Sequence, residues 1–265
     1  MTELAESANT ASENNLWLSR FRWFFAELTV VVVGILLALG LQSWWQTREN
    51  DARGNDYQRQ VLADVKQTRA TYQNAIATDT QLRNVTAQLS EALHTRQTLE
   101  GEHAMAWLAW RSGWFADPRP VVGNVYALID TGDIQLIANP KVRAAIVEYA
   151  SILKGGLADI DGQPDRMRRA NDSELLRFEE AGLPPQMDRL SVSDKGKYDG
   201  EFSKDYLTLY NAAWPALKQD PHYRNVQNLR ILAYDNMTSY HKEILAASEK
   251  LIAVLEADAI DKNKQ

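Results

Sequence analysis

Every residue from Leu28 to Leu41 is uncharged, and between Trp23 and Trp45, 23 residues in all, Glu27 carries the single formal charge. As a helix this run rises about 33 Å at 1.5 Å per residue, enough to cross a ~30 Å hydrocarbon core with some tilt. Trp23 stands at one end and Trp44 and Trp45 at the other. Indole rings in such positions settle at the level of the lipid headgroups. Residues 20–47 are therefore expected to form a transmembrane anchor, with these three tryptophans at its interfaces.

A cleaved signal peptide is the competing reading. Arg20 and Arg22 precede the apolar core, and Ala38-Leu39-Gly40 offers a small-x-small cleavage pattern. Against it, the run begins some twenty residues into the chain, and a cleaved segment has no use for Trp44-Trp45. Orientation is nearly balanced by charge, with Arg20 and Arg22 on one side and Arg48, Arg53 and Arg59 more widely spaced on the other. A short polar tail translocates less readily than a following domain. The expectation is a single-pass protein of a bacterial cytoplasmic (inner) membrane, N-terminus inside and C-terminal domain periplasmic. The chain has no cysteine, which fits a periplasmic body without disulfides.

The net charge of −6 supplies no strong positive field for phosphates, so no nucleic-acid partner is expected. Residues 1–19 read as a disordered polar tail, 48–259 as a helical extracytoplasmic domain and 260–265 as a disordered end. Glycine and proline are sparse, and the expected fold is all-α. Apolar or small residues at Val61, Val65, Tyr72, Ala75, Leu82, Leu89 and Leu93 step by threes and fours along a helix from Asp56 to about Leu99. Thr68, Asp79 and Thr86 are expected to interrupt that seam. A short aromatic helix follows from His103 to Trp114, stopped by Asp117-Pro118-Arg119-Pro120.

Gly132 then fits the left-handed position after a helix ending at Thr131, and Asn139-Pro140 an N-cap with a first-turn proline. The next helix is expected to end at Gly155-Gly156, with partial helix to 181 and a polar loop from Gly182 to about Ser203. A helix over 205–217 and a last one from Asp220-Pro221 to about Ala259 complete the chain. The first and last soluble helices match in length, which suggests an elongated helical bundle with two long antiparallel helices.

The segment Glu27-Leu28-Thr29-Val30-Val31-Val32-Val33-Gly34-Ile35-Leu36-Leu37-Ala38-Leu39, closed by Gln42-Ser43-Trp44, resembles the anchor of a family of uncharacterised bacterial single-pass membrane proteins. That family carries a Glu entering the membrane, a Gly-Ile-Leu-hydrophobic-Ala core and a closing Trp. Leu128-Ile129-Asp130-Thr131-Gly132-Asp133-Ile134-Gln135-Leu136-Ile137-Ala138-Asn139 is similar to its second marker, a Thr-Gly turn followed by Leu-Ile and a capped helix, with Arg143, Ile146 and Tyr149 in the continuation. The resemblance implies the layout and a domain of unknown function, and no mechanism.

Chemistry is thinly represented. Leu128-Ile129-Asp130-Thr131-Gly132 matches the Asp-Thr-Gly of retroviral-type aspartic proteases, whose two carboxylates share a proton at the base of a β-barrel cleft. Here it sits between helical patterns, where Thr-Gly ends one helix. His94, His103, His222 and His241 form no metal-ligand spacing, and no phosphate loop or nucleophile elbow is present. No catalytic residue, metal or cofactor is nominated.

Trp107, Trp110 and Trp114 form one stripe, read as core or, if exposed, as a partner or ligand surface. Arg166, Arg168 and Arg169 form a basic cluster, either solvated or set against an anionic lipid or acidic partner. Glu27, one turn inside the anchor, and the small pair Gly34 and Ala38 suit contact with another transmembrane helix. The function expected is a non-enzymatic, membrane-anchored subunit that binds or scaffolds a membrane protein partner, or associates with itself. The alternative is an extracytoplasmic ligand-sensing domain.

Overall fold

A computed structural model describes residues 3–95, 104–182 and 204–262. Among them there is no strand, and the protein is all-α: α1 Glu3–Thr95, α2 Ala104–Ser112, α3 Gly123–Asp130, a 3₁₀ turn Asp133–Leu136, α4 Pro140–Glu180, α5 Lys204–Leu217 and α6 Pro221–Lys262. The expected polar loop falls largely outside the described residues. The chain divides into two units, one up to Asp56 and one from Tyr57 onward.

In the first unit α1 begins at Glu3 rather than near residue 20. Residues 3–19, read as a polar tail, lie within this helix. The apolar run lies wholly within this helix. Its best window has a mean hydropathy of 1.9 with none of it buried.

In the second unit, buried residues of α1 fall at Val61, Val65, Thr68, Tyr72, Ala75, Asp79, Leu82, Thr86, Leu89 and Leu93. The steps alternate between four and three, the seam of a left-handed coiled coil. Thr68, Asp79 and Thr86 thus occupy the seam instead of breaking it, because each has a local or cross-helix partner. Thr86 Oγ1 donates to the Leu82 carbonyl at 2.8 Å, and Thr68 Oγ1 accepts from the Val121 amide at 2.9 Å. His241 Nδ1 lies 2.7 Å from Asp79 Oδ2, with the Tyr72 ring edge-on to the imidazole.

Cross-links fix the register. Lys66 meets Glu256, Arg83 meets Asp235 and Ser90 meets Asn228, so α6 runs antiparallel to α1. Tyr149 meets Ser248, Lys250 meets Glu148 and Arg230 meets Glu174, so α6 is antiparallel to α4 as well. The expected long antiparallel pair is present, joined by a third long helix.

That third helix corrects an expectation. α4 does not end at Gly155-Gly156 but passes through both, and through Gly162 and Pro164, to Glu180. Each glycine costs roughly 1 kcal/mol and the proline roughly 3 relative to alanine. Burial of Tyr149, Leu153, Met167 and Phe178 along one face offsets this. A β-carbon at Gly156 would lie 3.5 Å from Ile244, an ordinary van der Waals contact, so packing there does not require glycine.

The aromatic helix also ends early, at Ser112, and Trp114 lies beyond it. Side chains from two helices take up three consecutive carbonyls. The Tyr234 hydroxyl sits between the Ser112 carbonyl (2.8 Å) and that of Trp114, while Asn171 Nδ2 donates to the Gly113 carbonyl at 2.9 Å. A β-carbon on Gly113 would come within 3.3 Å of Asn171, so only glycine passes there without displacement. The chain then runs extended down the bundle, with Pro118 bonded by Tyr72, Val121 by Thr68 and Asn124 by Asp64.

The turn at the base follows its local code. Gly132 is left-handed (φ 78°), Asp133 accepts from the Tyr57 hydroxyl at 2.7 Å, and Asn139 caps α4 by accepting from the Lys141 amide. Asn139 also donates to Asp258 at 2.6 Å. α6 continues to Lys262, past the expected start of a disordered end, and there Lys262 pairs with Asp258 (2.8 Å) and donates to Gln58.

Candidate functional site

Two features stand out: the unburied apolar helix of the first unit, and a groove between α4 and α6 in the second. On the apolar helix Trp23, Trp44 and Trp45 are all exposed, as is every large apolar residue from Leu28 to Leu41. Such a continuous apolar surface is far more than a water-soluble monomer shows. Glu27 and Ala38 are exposed on the same helix. A β-carbon at Gly34 would meet nothing within 4 Å, so that position is open to a neighbour. Arg48 lies over the Trp44 ring at 5.3 Å, a charge placed just beyond the apolar run.

The groove is built over a buried ionic brace. Arg230, on α6, has no exposed surface. Its Nη2 donates to Glu174 Oε2 and to Asn171 Oδ1, both at 2.6 Å. Its Nη1 donates to Glu174 Oε1 at 2.9 Å and to Ser112 Oγ at 3.0 Å. Gln227 Nε2 donates to Glu174 Oε1 at 3.1 Å. Burial alone would lower the Arg230 pKa, but the adjacent Glu174 carboxylate outweighs it and holds the value above the ordinary one. Burial pushes the hydroxyls of Tyr223 and Tyr234 beside it upward. The brace ties α4, α6 and the end of α2 together, and its charges face inward.

On the outer side of the same two helices lies a cavity of about 260 Å³. Arg166, Arg169 and Ser173 line it from α4, and His222, Leu229 and Leu232 from α6. Steps of three and four in the first trio, and of seven and three in the second, bring each to one helical face. Leu229 and Leu232 are 52% and 54% exposed, apolar walls open to solvent.

The remaining nominated residues are placed less fully. The side chains of Trp107 and Trp110 lie outside the described residues. Trp114 is partly buried, packs against the core beside Tyr234, and has the Arg111 guanidinium 5.9 Å from its ring centre. Asp130 is exposed at the end of α3, and no strand among the described residues supplies the barrel that Asp-Thr-Gly chemistry needs. No cluster of three metal-ligating side chains is found among the described residues.

Sequence reasoning missed the Arg230–Glu174 brace and the Asp79–His241 pair. The signal was present, since Arg230 and His241 occupy the three-four seam of α6, where charged residues are rarely left without partners. Comparison with protein-family models, with curated proteins and with solved structures found no match to this chain.

Proposed function

We propose that this chain is a non-enzymatic, single-pass membrane protein whose helical domain binds or scaffolds a membrane partner. The observation that carries the reading is the apolar helix with none of its window buried, bordered by exposed tryptophans. The same reading sets the N-terminus inside a bacterial cytoplasmic membrane and the helical domain in the periplasm. It also groups the chain with the uncharacterised bacterial single-pass membrane proteins whose anchor it resembles.

Glu27, Gly34 and Ala38 are the proposed contact with another transmembrane helix, through close approach at the small residues and a polar contact at the glutamate. The test is affinity purification of the full chain from gently solubilised native membranes, with mass spectrometry of what co-purifies. A reproducible membrane partner, or a second copy, lost in Gly34→Leu but retained in a substitution at exposed Val147, is the expected result. Equal recovery from Gly34→Leu counts against the contact.

A second reading, a ligand-sensing domain, is favoured by the α4–α6 groove. It places Arg166 and Arg169 beside the exposed Leu229 and Leu232, next to the buried Arg230–Glu174 pair.

A further inference from the structure

We propose that the groove between α4 and α6 binds a single-chain anionic amphiphile, a carboxylate or phosphate head on one short alkyl chain. This deepens the ligand-binding reading above by naming the class of ligand, and it does not depend on the anchor.

Charge comes first. Arg168 is taken by Asp165 at 2.6 Å, Arg177 by Glu180 at 2.6 Å and Arg230 by Glu174. Among the described residues, Arg166 and Arg169 line the groove with no ion-pair partner and with no acidic residue beside them in the lining. Two guanidiniums three residues apart on one face repel each other, and an anion between them relieves that repulsion. Ser173 and His222 add polar groups at the same mouth.

The apolar half is equally specific. Leu229 and Leu232 expose more than half of their surface along the α6 wall, and Val226 and Ala233 close the floor. The cavity, about 260 Å³, is open to solvent along this wall, and the two leucines of a single helix offer room beside the arginines for one alkyl chain that can extend past the cavity's end. Ser173 adjoins Glu174 and Leu229 adjoins Arg230, so two wall residues sit one position from the buried brace. Binding then orders chiefly the exposed Arg166 and Arg169 side chains.

The test is photocrosslinking of the full chain in nanodiscs with a decanoate carrying a diazirine on its chain, mapped by mass spectrometry, beside the matched decanol probe. Decanoate is expected to label residues 166–173 and 222–233, and unlabelled decanoate, not decanol, to compete. Arg166→Gln with Arg169→Gln should weaken labelling about tenfold, two exposed ion pairs' worth, with the thermal midpoint unchanged because both side chains are exposed. Equal labelling by decanol, or labelling untouched by the double substitution, overturns the anionic class while leaving a ligand groove. Labelling by both probes confined to residues 27–45 removes the groove as a ligand site altogether.

Discussion

Arg230 is the largest side chain in the bundle with no exposed surface, and it is charged. Its cation is stable there because Glu174, Asn171, Ser112 and Gln227 all face it from within hydrogen-bond distance. Taking one partner away leaves the other charge buried and alone, which costs about 3–5 kcal/mol. Arg230→Met should lower stability by that amount in urea unfolding. Arg230→Met combined with Glu174→Leu should recover most of the loss, since an apolar pair of similar size removes both desolvation costs. A loss in the double variant equal to the sum of the losses in Arg230→Met and Glu174→Leu alone would mean that the brace contributes no coupling.

At the scale of elements, three helices are joined at the base by a few polar groups. Asn139 caps α4 and reaches Asp258 on α6, and Lys262 on α6 reaches both Asp258 and Gln58 on α1. Burial raises the Asp258 pKa, but the bonds from Lys262 and Asn139 outweigh it and hold the value below the ordinary 3.8. A carboxyl depressed in the fold stabilises it above the unfolded value, and that stabilisation is lost as pH falls through the folded value. Asp258→Asn should therefore be less stable than the natural chain near neutrality, and the gap should close below about pH 4. Unfolding midpoints across that range are the readout, and a gap independent of pH would sink the assignment.

The elements were unevenly legible in the sequence. Gly132 and Asn139-Pro140 act locally, through a left-handed turn and a side-chain cap, so their signals survive any tertiary context. Gly155, Gly156 and Pro164 argued locally for breaks, and the packing of α4 against α6 overrode them. The Trp114 departure from helix was invisible because its cause, Tyr234 and Asn171, lies more than fifty residues away. Leu229 is apolar and in helical step with Val226 and Ala233, a pattern that suits a core position. The seam instead passes through Arg230, and Leu229 faces the groove. Of the candidate sites, the apolar run was plain in the sequence. The groove was half visible as an arginine cluster, and its leucine wall emerged only with the pairing of α4 and α6.

The whole molecule combines a helical bundle with a well-packed seam and a helix whose apolar side chains are left uncovered by the described residues. Burial of those side chains in lipid is the central claim. The most direct test is alkaline carbonate extraction of membranes carrying the full chain, with intact-mass measurement of the protein recovered. The account predicts that the chain stays in the membrane pellet with residues 1–47 still attached, and that the chain lacking 20–47 moves to the supernatant. Release of the full chain by carbonate, or a mature protein that has lost the apolar run, would contradict it.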